Sequence, residues 1–100
     1  MVGLNLQYRF QRFDIGNNNN ERIFSVSYMP CVFFCISSNN LTIYNYYCCA
    51  VAPSNLGVVV INKVESSIVN VSLTFSIQSN NNIKVINSGN YGSKLHILQL

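Results

Sequence analysis

The stretch Val69-Asn70-Val71-Ser72-Leu73-Thr74-Phe75-Ser76-Ile77-Gln78 alternates apolar and polar residues without a break. Side chains along a β-strand point to opposite faces in turn, so this pattern gives a strand with one apolar and one polar face. A helix is excluded, because residues two apart fall on different sides of a 3.6-residue turn. Val69, Val71, Leu73, Phe75 and Ile77 are therefore predicted to face a core. A second alternation near the start puts Leu4, Leu6, Tyr8 and Phe10 on one face and Asn5, Gln7, Arg9 and Gln11 on the other. Tyr8 and Phe10 are predicted to share the core face.

Other strand candidates follow outward from these two. Ile23 to Met29 alternates in part, and Ile83 to Ile86 and Lys94 to Leu98 are short. Leu41 to Ala52 begins with aromatic and β-branched residues. Cys31 to Ile36 and Val58 to Ile61 are unbroken apolar runs, the pattern of strands buried on both faces. Between the runs stand Gly16 with Asn17 to Asn20, Ser37 to Asn40, Pro53-Ser54-Asn55 with Gly57, Ser79 to Asn82, and Ser88 to Gly92. Asn and Gly tolerate the left-handed backbone that turns require. Turns about ten residues apart predict an all-β antiparallel sandwich or barrel-like module of about seven short strands. Val69 to Ile86, turning at Ser79 to Asn82, is the clearest hairpin. One hundred residues make a single small domain, 1–100.

The composition narrows the function classes. Only 9% of residues are charged, against about a quarter in ordinary soluble domains. No charge lies between Arg22 and Lys63. Asn is the most frequent residue and occurs in low-complexity runs. The net charge of +3 is scattered, with no polybasic cluster, so no nucleic-acid partner is expected. Tyr8-Arg9-Phe10-Gln11-Arg12-Phe13 interleaves aromatic and basic residues as base-stacking surfaces do. It is short, and core packing of Tyr8 and Phe10 is the simpler reading. Met1 to Phe13 has no signal-peptide core, and the compartment is left open.

A helical alternative exists. Ile23 to Leu41 and Ile43 to Ile61 each approach the roughly 20 residues that cross a bilayer, as two spans of a membrane hairpin. Pro30, Asn39, Asn40, Asn45, Pro53 and Asn55 weigh against it, because polar groups in hydrocarbon are costly.

Chemistry-bearing residues are sparse. Cys31 and Cys35 project from one face of a strand, while the adjacent Cys48 and Cys49 face opposite ways, which fits a two-knuckle zinc site poorly. Buried reduced thiols are the expectation. His96, between Leu95 and Ile97, falls in phase with Lys94 on a polar face. Asp14 and Glu21 flank the Asn run as ordinary loop acids. Phosphate-binding glycine loops and nucleophile elbows are absent. Asn40-Leu41-Thr42 and Asn70-Val71-Ser72 are glycosylation sequons. No catalytic, cofactor-binding or metal-ligating residue is assigned, and no motif here marks a family.

The sequence thus points to a non-enzymatic chain. It is a reading frame that selection has not shaped or, if selected, a small β-type interaction module. The rival is a small two-span membrane protein. Val58 to Ile61 and Val32 to Ile36 are uncharged and β-prone, which predicts self-association. Far-ultraviolet circular dichroism of the chain in aqueous buffer is expected to show sheet. Helix that forms only in detergent would replace the module with the membrane hairpin.

Overall fold

The computed structural model describes residues 9–54 and 56–100. They form eight antiparallel strands and no helix. The strands are β1 (Phe10–Ile15), β2 (Asn20–Ser25), β3 (Cys31–Asn39), β4 (Thr42–Ala52), β5 (Gly57–Glu65), β6 (Leu73–Ser79), β7 (Asn82–Asn87) and β8 (Ser93–Gln99). A five-stranded sheet has the order β1-β8-β3-β4-β5, and a three-stranded sheet the order β2-β7-β6. The all-β expectation therefore holds, as two packed sheets. Residues 1–8, with Leu4, Leu6 and Tyr8, lie outside the described residues.

Asparagine explains how so many turns fit in so short a chain. Among the described residues, those other than glycine with positive φ are Asn18, Asn19, Asn40 and Asn80. Each sits in a strand-connecting turn, where its short polar side chain makes the left-handed region cheaper than for other L residues. The expected hairpin forms between β6 and β7 around Asn80 and Asn81. Ser37 to Asn39 belong to β3 rather than to a turn.

The core lies between the sheets. Leu73 and Phe75 of β6 are buried and Ile77 is partly buried, on the predicted face. Val69 to Ser72 lie ahead of β6 rather than in the expected strand, with Val71 buried and Val69 partly buried against the same core. Phe33, Cys35, Tyr47, Cys49, Leu95 and Ile97 meet them from the larger sheet. Phe10 is a correction. It is 62% exposed, while Phe13 packs against the core and Ile15 is buried. Phe13 and Ile15 share one face of β1, and burying that pair turns the lone Phe10 outward.

The helical spans are also corrected. Ile23 to Leu41 and Ile43 to Ile61 supply β2 to β5, and no helix of the described residues is long and apolar enough to cross a membrane. Their β-branched and aromatic residues favour strands, where neighbouring strands satisfy the backbone.

Two buried asparagines tie the connections to the sheets. Asn87 is fully buried. Its Oδ1 accepts from Ser72 N at 3.1 Å and Gly89 N at 3.0 Å, and its Nδ2 donates to Gly16 O at 3.0 Å and Tyr91 O at 2.7 Å. Asn45 donates to Val71 O at 2.6 Å and accepts from Ser66 N at 2.9 Å, fastening the β5–β6 crossover. Gly89 packs so closely on Asn70 that an added Cβ would lie 2.2 Å from its carbonyl oxygen. Asn87→Ala leaves four backbone groups without their partner. It is expected to lower unfolding stability by about 2–4 kcal/mol in chemical denaturation. Thr74→Ala, at an exposed position of β6, should change it by less than about 0.5 kcal/mol.

Candidate functional site

The register assigns every strand residue of the larger sheet to its inner or outer face. Phe10, Arg12 and Asp14 of β1 stand opposite Leu98, His96 and Lys94 of β8. Those three in turn face Phe34, Ile36 and Ser38 of β3. Phe34 and Ile36 pair with Cys48 and Tyr46 of β4, and Tyr46 with Val64 of β5. All these side chains lie on the face turned away from the smaller sheet.

This outer face is apolar through its middle. Phe34 and Tyr46 stack with ring centroids 6.0 Å apart. Two adjoining depressions, each about 360 Å³, run along the strands. The first is lined by Phe10, Phe34, Ile36, Tyr46, His96 and Leu98. The second continues past Phe10, Ile36 and His96 to Ser38, Leu41, Thr42 and Ile43. Together they form one trough. Leu41, at the tip of the β3–β4 hairpin, is 99% exposed.

A β-bulge brings Ile43 into the trough. The β3–β4 register shifts between Ser37 and Ser38, pairing Ser37 with Asn45 and Ser38 with Ile43. Tyr44 is the extra residue, so Ile43 shares the outer face with Ser38.

The outer face of the smaller sheet differs. There Thr74, Ser76, Lys84 and Glu21 surround Ile23 and Ile86. One sheet of the sandwich thus shows water a mixed polar surface, and the other a trough of aromatic and aliphatic side chains.

The polar groups of the trough are few. Ser38 Oγ and His96 Nε2 share a hydrogen bond of 3.0 Å. His96 keeps phase with Lys94 as the sequence predicts, yet it lies in an apolar surface rather than a polar one. The difference comes from β1 and β3, which place Phe10 and Ile36 around it. Lys94 Nζ donates to Asp14 Oδ1 at 2.9 Å. That hydrogen bond, then the charge of Lys94, hold the Asp14 carboxyl below its ordinary pKa. Desolvation first, then the Cys48 thiol, push the Tyr46 hydroxyl up.

The other sequence candidates do not converge. Asp14 and Glu21 point outward from different sheets. Arg12 shares the outer face with Phe10, whereas Arg9 Nε donates to the Gln99 carbonyl at 3.0 Å. Arg22 lies 5.1 Å from the Phe13 ring centroid, a cation–π contact. Among the described residues no group of three or more His, Cys, Asp or Glu could hold a metal ion. Asn40 of the first sequon sits exposed in the β3–β4 turn, and Asn70 of the second is exposed ahead of β6.

The four cysteines are free thiols. Cys31, Cys35 and Cys49 face the core, while Cys48 projects to the outer face, as the spacing predicts. Desolvation pushes the Cys35 thiol well up, and that of Cys49 to about 12.

The sequence signal for the trough is the unbroken run Val32-Phe33-Phe34-Cys35-Ile36. Such a run is apolar on both faces, and the smaller sheet covers only one of them. The contribution of Phe10 is not legible from the alternation, which assigns it to the core.

No protein-family model, no curated protein and no solved structure matches this chain. The site therefore rests on its own geometry.

The thiols offer a direct check. At pH 8 and micromolar protein, a thiol-reactive disulfide reagent is expected to modify Cys48 alone in the native state, and all four cysteines after denaturation. Rapid modification of Cys35 or Cys49 in the folded chain would contradict the packing. Because these two thiols ionise far more readily once unfolded, stability should fall as pH rises above about 9. The slope approaches about 1.4 kcal/mol per pH unit for each fully titrating thiol.

Proposed function

We propose that this chain is a non-enzymatic β-type interaction module whose working surface is the outer face of the five-stranded sheet. The observation that carries the reading is the contrast between the two outer faces. Antiparallel sheets that meet water on one side alternate apolar and polar residues, as β6 does with Thr74 and Ser76 outside and Leu73 and Phe75 inside. Strand β3 does not follow that rule. Its inner Phe33 and Cys35 are buried, and its outer Phe34 and Ile36 are only partly covered. An apolar surface of this kind, rimmed by Arg12, Asp14 and Lys94, is the usual mark of a contact surface.

A binding role fits the polar content of the trough better than a catalytic one. Ser38 and His96 are joined by one hydrogen bond, and the register sets the cationic Arg12, rather than a carboxylate, opposite the imidazole. The Asp14 carboxylate is engaged by Lys94. The satisfied hydrogen bonds of Asn87 and the placement of Asn at left-handed turn positions favour a selected module over an unshaped reading frame, since local and global preferences agree.

The test uses an environment-sensitive apolar dye at low micromolar protein. The native chain is expected to enhance its fluorescence, and Ile36→Lys to reduce that enhancement several-fold with sheet content unchanged. Thr74→Lys on the other sheet should leave it intact. Equal dye binding by wild type and Ile36→Lys would defeat the reading.

A further inference from the structure

We infer that the partner of the trough is a second copy of this chain, stacked face to face on the five-stranded sheet. This rests on the interaction-module reading and adds the identity of the occupant. Three features of the fold carry it.

The first is area. Five strands spaced about 4.8 Å apart make a face about 24 Å wide, and seven or eight residues along a strand span about 25 Å. Covering that face on two copies removes about 1,200 Å² in total from water. Specific interfaces begin at about that size. A small ligand would leave most of the face wet.

The second is shape. Sheets pack face to face about 10 Å apart, with the strand directions offset by their twist. Another sheet of the same twist supplies the matching surface. The partly covered Phe34 and Ile36 belong to β3, the middle strand of five, so they fall at the centre of such a contact.

The third is charge, which also selects the symmetry. The charged groups of the face, Arg12 and Asp14 on β1 and Lys94 on the adjacent β8, lie toward its β1 margin. A two-fold axis along the strands places that margin over β5 of the other copy. The outward residues there are Val59, Asn62 and Val64, none of them charged. An axis across the strands would set β1 on β1 and bring the excess positive charge of both margins together. The first arrangement is isologous and closed, so association stops at two.

Edge-to-edge pairing of β5 is the weaker route. Its ladder shifts register at Cys48, leaving Ile61 as an extra residue, and Lys63 with Glu65 occupies its far end. Bulges and charges are the devices that discourage edge pairing.

The test is sedimentation equilibrium of the full chain from about 1 to 500 µM, with circular dichroism on each variant. The apparent mass is expected to rise from 11.3 kDa to twice that value and stop. Phe34→Lys should weaken the dimer at least about tenfold. Leu98→Ser gives a second face variant with the same expected direction, should Phe34→Lys fail to fold. Val60→Lys, on the β5 edge, should not change the dimer. Modification of Cys48 should slow as the dimer forms, because it lies on the covered face. A wild-type mass of 11.3 kDa throughout overturns the second copy. If that monomer still takes up dye at Ile36, the interaction surface stands and only its occupant is wrong. Open-ended growth abolished by Val60→Lys also overturns the proposal, in favour of edge pairing.

Discussion

A seam of aromatic rings between the two sheets holds this structure together. Phe13 meets Phe24 at 5.9 Å, Phe24 meets Phe33 at 5.4 Å, Phe33 meets Phe75 at 5.4 Å, and Phe75 meets Tyr47 at 5.6 Å. The five rings come from β1, β2, β3, β6 and β4, so every contact crosses from one sheet to the other, and the last two also join residues 42 and 28 positions apart. Most are tilted or edge-on, the arrangement that ring quadrupoles favour, worth about 0.5–1.5 kcal/mol per pair beyond burial. Tyr47 adds a polar anchor, its hydroxyl accepting from Leu73 N at 3.2 Å. Once these rings are inside, the two-residue period sets the direction of their neighbours. Phe34 must point out because Phe33 points in, and Tyr46 because Tyr47 does.

The same constraint leaves the molecule unequal on its two sides. Three strands cover five, and β5 lies past the cover with no buried residue. The smaller sheet shows water a mixed surface, with Thr74, Ser76, Lys84 and Glu21 around Ile23 and Ile86. The larger sheet carries aromatic and aliphatic residues on both faces of β3 and has one of them open. Low charge density sharpens the contrast, because few ionic groups are present to break up the apolar face. The surface chemistry of this protein is thus a consequence of how its core is filled.

The two corrections share one cause. Phe10 continues the alternation begun at Leu4 and reads as core by that series, but β1 is oriented by Phe13 and Ile15. The stretches from Ile23 to Ile61 are long and uncharged enough to read as membrane spans, yet they fold back at Pro30, Asn40 and Pro53 into paired strands. Local pattern ranks the options for a segment. The rings it meets across the core choose among them.

From the residues alone came the strand periodicity of Leu73 to Ile77, the β6–β7 hairpin, the Asn-based turns, and the opposite facing of Cys48 and Cys49, whereas Val69 to Ser72, which alternate as well, precede β6. These depend on side-chain alternation and left-handed backbone preference, both properties of a few consecutive residues. Which strands neighbour each other, the insertion of β8 between β1 and β3, and the meeting of Phe10, Ile36, Ser38 and His96 in one trough were decided only by the tertiary structure. Those residues are separated by up to 86 positions, and only sheet register places them side by side.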